Sequence, residues 1–146
     1  LVAGRRLVLG GLQIEYELGL EGHSDADVLC HAVTDALLGA VAEGDIGRLF
    51  PDSDSKWKDA ISLDLLRTAW ERVREKGWNV VNVDATVIAE KPRLEAFIDS
   101  MRSNIAGSLD VASDCVSVKA TTVEGMGALG RKEGIAALSV VTLARD

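Results

Sequence analysis

Between Val80 and Ala89 the chain reads VVNVDATVIA, with Val81, Val83, Ala85, Val87 and Ala89 alternating against Asn82, Asp84 and Thr86. Successive side chains of a strand point to opposite faces, so this period of two predicts a β-strand with one apolar and one polar face. A strand of that kind needs neighbours along its edges and a second layer over its apolar face. Cys115 to Ala120 and Gly134 to Leu143 are the candidate neighbours, and Leu7 to Glu17 reads as a further strand or hairpin about Gly10 and Gly11.

Helical periodicity supplies the second layer. Ser24 or Asp25 can cap a helix running to about Ala42, with Asp27 as the acidic third residue of a capping box and Gly44 just beyond the end. Its apolar stripe is Val28, Leu29, Ala32, Val33, Ala36, Leu37 and Ala40. A second helix spans Ser62 to Lys76 before Gly77, and a third follows Pro92, from about Glu95 to Leu109. The stretch GDIGRLFPDSDSKWKDA between the first two reads as a flexible surface loop. Strand pairs mixed with helices predict one α+β domain over residues 1–146, a two-layer sandwich whose mixed sheet is covered by helices on one face. Symmetric packing of subunits can shield the other face.

Composition narrows the function. The net charge of −7 excludes a broad basic surface for nucleic acid or anionic membranes, so a phosphate ligand needs a local device: a metal, a helix N-terminus or a few placed cations. No apolar run reaches the ~18 residues of a membrane span, and the N-terminal residues lack a secretory pattern, so a soluble protein is expected. Cys30 and Cys115 have no motif spacing and read as separate reduced thiols.

Both histidines lie in GHSDADVLCHAVTDALLGAVAEGDIG. His31 is off the apolar stripe and aligned at i, i+4 spacing with Asp27 and Asp35, either as a ligand in a polar cleft or as a solvated histidine. His23 precedes the helix, where it can contact a phosphate or serve only in a turn. Asp45, Asp52 and Asp54 can bind ribose-like hydroxyls or a hydrated cation, or be plain turn residues; their spacing is not that of an EF-hand. In VKATTVEGMGALGRKEG, Lys119, Thr121, Thr122, Arg131 and Lys132 offer phosphate donors and Glu124 a cation ligand, although the run is no P-loop and also reads as a glycine-rich connection.

Together with NVDATVIAEKPRL, these stretches resemble the 2-C-methyl-D-erythritol 2,4-cyclodiphosphate synthase family across essentially the whole chain. The resemblance implies an α+β subunit in a homotrimer, with active sites shared between neighbours. It implies catalytic roles for His23 and Thr122, and a substrate site drawn from Ser24, Asp45, Ile46, Gly47, Phe50, Pro51, Asp52, Ser53 and Asp54 on one side. The cytidine and phosphate side would use Ala89, Glu90, Lys91, Pro92, Arg93, Leu94, Glu95, Thr121, Thr122, Val123, Glu124, Ala128 and Arg131. Arg93 and Glu90 stand where the family more often has lysine and glutamine.

The resemblance further implies zinc at His31, with two more ligands in an Asp-x-His motif expected upstream of Leu1, and magnesium or manganese at Glu124. The implied activity is a phosphorus–oxygen lyase that closes a cyclic diphosphate and releases CMP from 4-diphosphocytidyl-2-C-methyl-D-erythritol 2-phosphate. Bacterial cytoplasm or plastid stroma is the implied location. A noncatalytic nucleotide-binding or regulatory module is the competing expectation.

Overall fold

Two glycines with positive φ set the first hairpin. The computed structural model describes residues 1–145, beginning with short strands β1 (Val2–Ala3), β2 (Leu7–Leu9), β3 (Leu12–Ile14) and β4 (Leu18–Gly19). Gly10 and Gly11, at φ +56° and +70°, form the two-residue link that pairs Leu9 with Leu12, a backbone path that L side chains resist. A Cβ at Gly10 would also lie 2.6 Å from Cβ of Met101.

Helix α1 spans Val28–Ala40, and its cap is Asp27, not Ser24 or Asp25. The Asp27 carboxylate accepts from the N–H of Cys30 at 3.0 Å and also from Gly10 and Gly11, so capping and hairpin docking are one event. At the other end, Ala42 turns the chain left-handed with φ +56°, and Gly44 follows it at φ +88°; the N–H groups of Ala42 and Glu43 return to the carbonyls of Gly39 and Leu38. The buried face is rotated relative to the expected stripe. Leu29, Cys30, Val33, Thr34, Leu37 and Leu38 are buried, while Ala40 is exposed. Thr34 is accommodated because its hydroxyl donates to the Cys30 carbonyl at 2.8 Å.

The expected flexible loop is ordered by two of its own aspartates and one from α1. Asp45 caps α2 (Ile46–Leu49), Asp35 accepts the N–H of Ile46 at 2.7 Å, and Asp54 caps a 3-10 turn at Ser55–Trp57. Helix α3 (Ser62–Glu75) follows and ends before Gly77, at φ +80°. Next come β5 (Trp78–Ile88), a 3-10 turn at Glu95–Phe97, α4 (Ile98–Leu109), β6 (Val116–Thr121), α5 (Gly127–Gly130) and β7 (Ala136–Arg145).

The main sheet has the order β6-β5-β7, parallel on one side of β5 and antiparallel on the other. A register shift between Val80 and Asn82 corrects the simple alternation: Val81 falls at the irregularity and is 48% exposed, while Val83, Ala85, Val87 and Ala89 keep the buried face. These residues, with Val116 and Val118, pack against Leu29, Val33, Leu66, Val73, Met101, Ile105 and Leu109. The α+β reading therefore holds for the subunit. Leu138 and Val140 project from the uncovered side of β7 and are 67% and 69% exposed.

Candidate active site

The loop before α1 is tied to the N-terminus of α3 by a short chain of hydrogen bonds. The N–H groups of Asp59 and Asp25 donate to the carbonyls of His23 and Ala60, at 3.0 and 3.2 Å. No side chain caps α3 from its own preceding residue. The Asp25 carboxylate does so from across the fold, accepting the Ser62 N–H at 3.0 Å and the Ser62 hydroxyl. Ser62 Oγ in turn lies 2.8 Å from His31 Nε2, and Ser24 Oγ lies 3.3 Å from the same atom.

This frame opens onto a cleft of about 440 Å³ that receives His23, Ser24 and His31 on one side and Ile46, Gly47, Phe50 and Asp52 on the other. His23 Nε2 is buried without a hydrogen-bond partner, so the ring carries unused polar capacity at the cleft. Phe50 and Trp57 meet edge to face at 4.8 Å, giving the far wall a rigid aromatic corner. Asp45 and Asp54 are occupied as caps, and the Lys56 ammonium holds the Asp54 carboxyl below its ordinary range. Asp52 makes no such bond among the described residues and lines the cleft.

A second cleft, of about 390 Å³, lies where parallel β5 and β6 end side by side, with Ile88 opposite Thr121. Ala89, Glu90, Pro92, Arg93, Leu94 and Glu95 face Thr121 and Thr122 across it. The Ala89 N–H donates to the Thr121 carbonyl at 2.9 Å, and Glu90 Oε1 accepts from Val123 and Gly125 at 2.9 and 3.2 Å. Glu90 therefore clamps the two loops together, a role in which its carboxylate oxygen acts as a plain acceptor.

A family model described as the YgbB family matches residues 1–144. The chain belongs to the YgbB family. A Salinibacter ruber protein named 2-C-methyl-D-erythritol 2,4-cyclodiphosphate synthase is 58% identical over 98% of this chain and 91% of its own. A solved structure described as that synthase in a CDP-bound form has a TM-score of 0.88 at 33% identity, covering 97% of this chain and 92% of its own. The bifunctional IspDF of Campylobacter jejuni superposes with a TM-score of 0.94 at 49% identity, covering 99% of this chain, which spans only 39% of that longer protein.

In this chain His23, Ser24, His31, Ile46, Gly47, Phe50 and Asp52 line the first cleft, and Ala89, Glu90, Pro92, Arg93, Leu94, Glu95, Thr121 and Thr122 the second. Lys91, Val123, Glu124, Ala128 and Arg131 line neither cleft, and neither do Asp45, Pro51, Ser53 and Asp54. Glu133 holds Arg131 at 2.6 Å and keeps its guanidinium protonated more firmly still, while Lys119 pairs with Asp84 on the sheet. The expected Asp27, His31, Asp35 stripe does not act as a unit, because Asp27 serves the hairpin and Asp35 serves α2. Trp57, Leu65 and Ile135 also line the first cleft with no motif to mark them; Trp57 lies inside the run that reads as a flexible loop. Ser62, which bonds His31, and Asp25, which bonds Ser62, give only the ordinary signal of polar residues near helix starts.

His31 is the kind of nitrogen donor zinc takes, and its Nδ1 has no hydrogen-bond partner among the described residues. No group of three histidine, cysteine or carboxylate side chains that could hold a metal ion occurs among the described residues. His31 thus fits one corner of a tetrahedral site.

Proposed function

We propose that this chain converts 4-diphosphocytidyl-2-C-methyl-D-erythritol 2-phosphate into 2-C-methyl-D-erythritol 2,4-cyclodiphosphate and CMP, acting as a phosphorus–oxygen lyase of non-mevalonate isoprenoid biosynthesis. The observation that carries the reading is 58% identity over 98% of the chain to a protein named for that product. The CDP-bound relative supports a cytidine nucleotide as part of the substrate. The bacterial source of that named relative favours the bacterial cytoplasm as the place of action. Among the described residues, no helix is long and apolar enough to cross a membrane.

The reaction is an intramolecular displacement. An oxygen of the 2-phosphate bonds to the β-phosphorus, the bridge to the α-phosphate breaks, and CMP leaves with the bonding electron pair. The attacking phosphate is already anionic near neutral pH, so the chain need only orient the two phosphates and offset their charge. In the first cleft, His23 and Ser24 present an imidazole and a hydroxyl to the diphosphate, and Asp52 can accept from a hydroxyl of the methylerythritol. In the second, Ala89 to Glu95 take the cytidine side and Thr122 the phosphate, with Arg131 and Glu124 close by in sequence. Zinc with His31 as one ligand, and magnesium or manganese at Glu124, would supply polarisation of the β-phosphate and charge neutralisation when bound.

A homotrimer that sets the first cleft of one subunit against the second cleft of its neighbour would unite the two groups. Incubation of the full chain with the cytidyl substrate, zinc and magnesium tests the activity. One CMP released per cyclic diphosphate is expected; binding of CDP with no product in the presence of both metals would leave a nucleotide-binding module instead.

A further inference from the structure

We infer that Ser62, backed by Asp25, is a positioning residue that holds His31 with a proton on Nε2, so that Nδ1 is the nitrogen offered to a divalent metal ion. The tautomer follows from counting hydrogens along the chain of bonds. The Ser62 hydroxyl has one hydrogen, and it is given to Asp25 Oδ1. Asp25 cannot turn away, because Oδ1 also accepts from the Asp27 N–H at 3.2 Å and Oδ2 from the Ser62 N–H at 3.0 Å. Ser62 Oγ therefore offers only lone pairs to His31 Nε2 at 2.8 Å, and a hydrogen bond there needs an N–H. The opposite arrangement, with Ser62 donating to the ring, would set the Oγ lone pairs against a carboxylate oxygen at close contact.

Ser24 strengthens the same polarity. Its Oγ, 3.3 Å from Nε2, accepts the Ala26 N–H at 3.2 Å and can share the ring hydrogen, leaving its own hydrogen for a ligand in the cleft. Nδ1 has no protein partner among the described residues, so its lone pair is unspent. Fixing the ring nitrogen opposite the ligand is the general way a protein selects and orients a histidine for metal binding. The link to zinc rests on the proposed function, whereas the tautomer itself does not.

The full chain labelled with nitrogen-15 in its histidines gives the test, through long-range proton–nitrogen spectra of the metal-free protein at about pH 8, above the ordinary imidazole value. A pyrrole-type Nε2 and a pyridine-type Nδ1 are expected for His31, with zinc ion alone shifting the Nδ1 resonance. An Nδ1-protonated ring, or two averaged nitrogens, overturns the inference. Ser62→Ala, with folding checked by its melting curve, should average the two nitrogens and weaken zinc binding about 10- to 100-fold. Unchanged tautomer and zinc affinity in a folded Ser62→Ala also overturn it. Failure of the wild type to release CMP would sink the activity and leave the tautomer standing; wild-type turnover with an Nδ1-protonated His31 would do the reverse.

Discussion

At Asp27 a single carboxylate joins two pieces of the fold. It is fully buried, and burial pushes its carboxyl above the ordinary 3.8, opposed by bonds from the Cys30, Gly11 and Gly10 N–H groups. Asp27→Ala removes the acceptor for two buried donors and one part-buried donor at once, each buried one costing roughly 1–3 kcal/mol if left unpaired. Solvent and backbone adjustment will recover part of that, so a loss of about 3 kcal/mol is expected in a denaturant midpoint series. Asp27→Asn should fall between this variant and the wild type, because its carbonyl oxygen keeps two donors while its NH2 faces the third. His23 shows the complementary case, a side chain left unsatisfied inside the cleft. His23→Ala should leave the melting temperature nearly unchanged and lower kcat for CMP release about 100-fold, with a smaller change in KM. A marked fall in melting temperature alongside the loss of kcat would make His23 a structural residue.

Between elements, the ends of α1 and α3 are fastened by Glu43. Its carboxylate accepts from Lys76 Nζ and from Arg72 Nε at 2.9 Å, which together, Lys76 foremost, hold the Glu43 carboxyl below its ordinary 4.5. The folded value is the lower one, so this stabilisation is fully present above pH 4.5 and is lost as pH falls through the folded value. Glu43→Gln should therefore be less stable than the wild type at about pH 7 and converge with it as the pH is lowered below 4.5, followed by denaturant midpoints and weakened by salt. A gap that persists at low pH would assign the effect to packing. The same scale shows what was legible in the sequence. Strand and helix periods located α3, β5, α4, β6 and β7 because each depends on a local alternation of apolar residues. The start of α1 was displaced to Ser24 or Asp25 because its true cap, Asp27, is selected by a hairpin 16 to 17 residues away. Val81 was misassigned because an irregular pairing with β7 is a property of two strands, not of one run of sequence. The family motifs brought out His23, Ser24 and His31, but not Ser62 and Asp25, whose role depends on two distant loops meeting.

For the molecule as a whole, the two clefts and the uncovered sheet raise one question. Leu138 and Val140 stand exposed on β7, a placement that favours burial against other subunits. Val140→Lys should shift the proposed homotrimer towards monomer in light scattering, and activity should fall with the trimer fraction if the two clefts act only across a subunit boundary. Complementation separates this from a simple loss of stability. A first-cleft variant, His23→Ala, leaves the second cleft intact, and Thr122→Ala does the converse. If each site takes one cleft from each of two neighbours, random trimers reassembled from equal amounts of the two inactive chains will regain about one quarter of wild-type sites. The intact site forms wherever the Thr122→Ala subunit supplies its unaltered first cleft to a neighbour whose second cleft is unaltered. If both clefts of one subunit serve the same site, no mixture can restore activity, because every subunit then carries a defect in its own site. CMP release from the mixed trimers, measured beside each variant refolded alone, therefore decides whether the two groups of residues belong to one subunit or meet across a boundary.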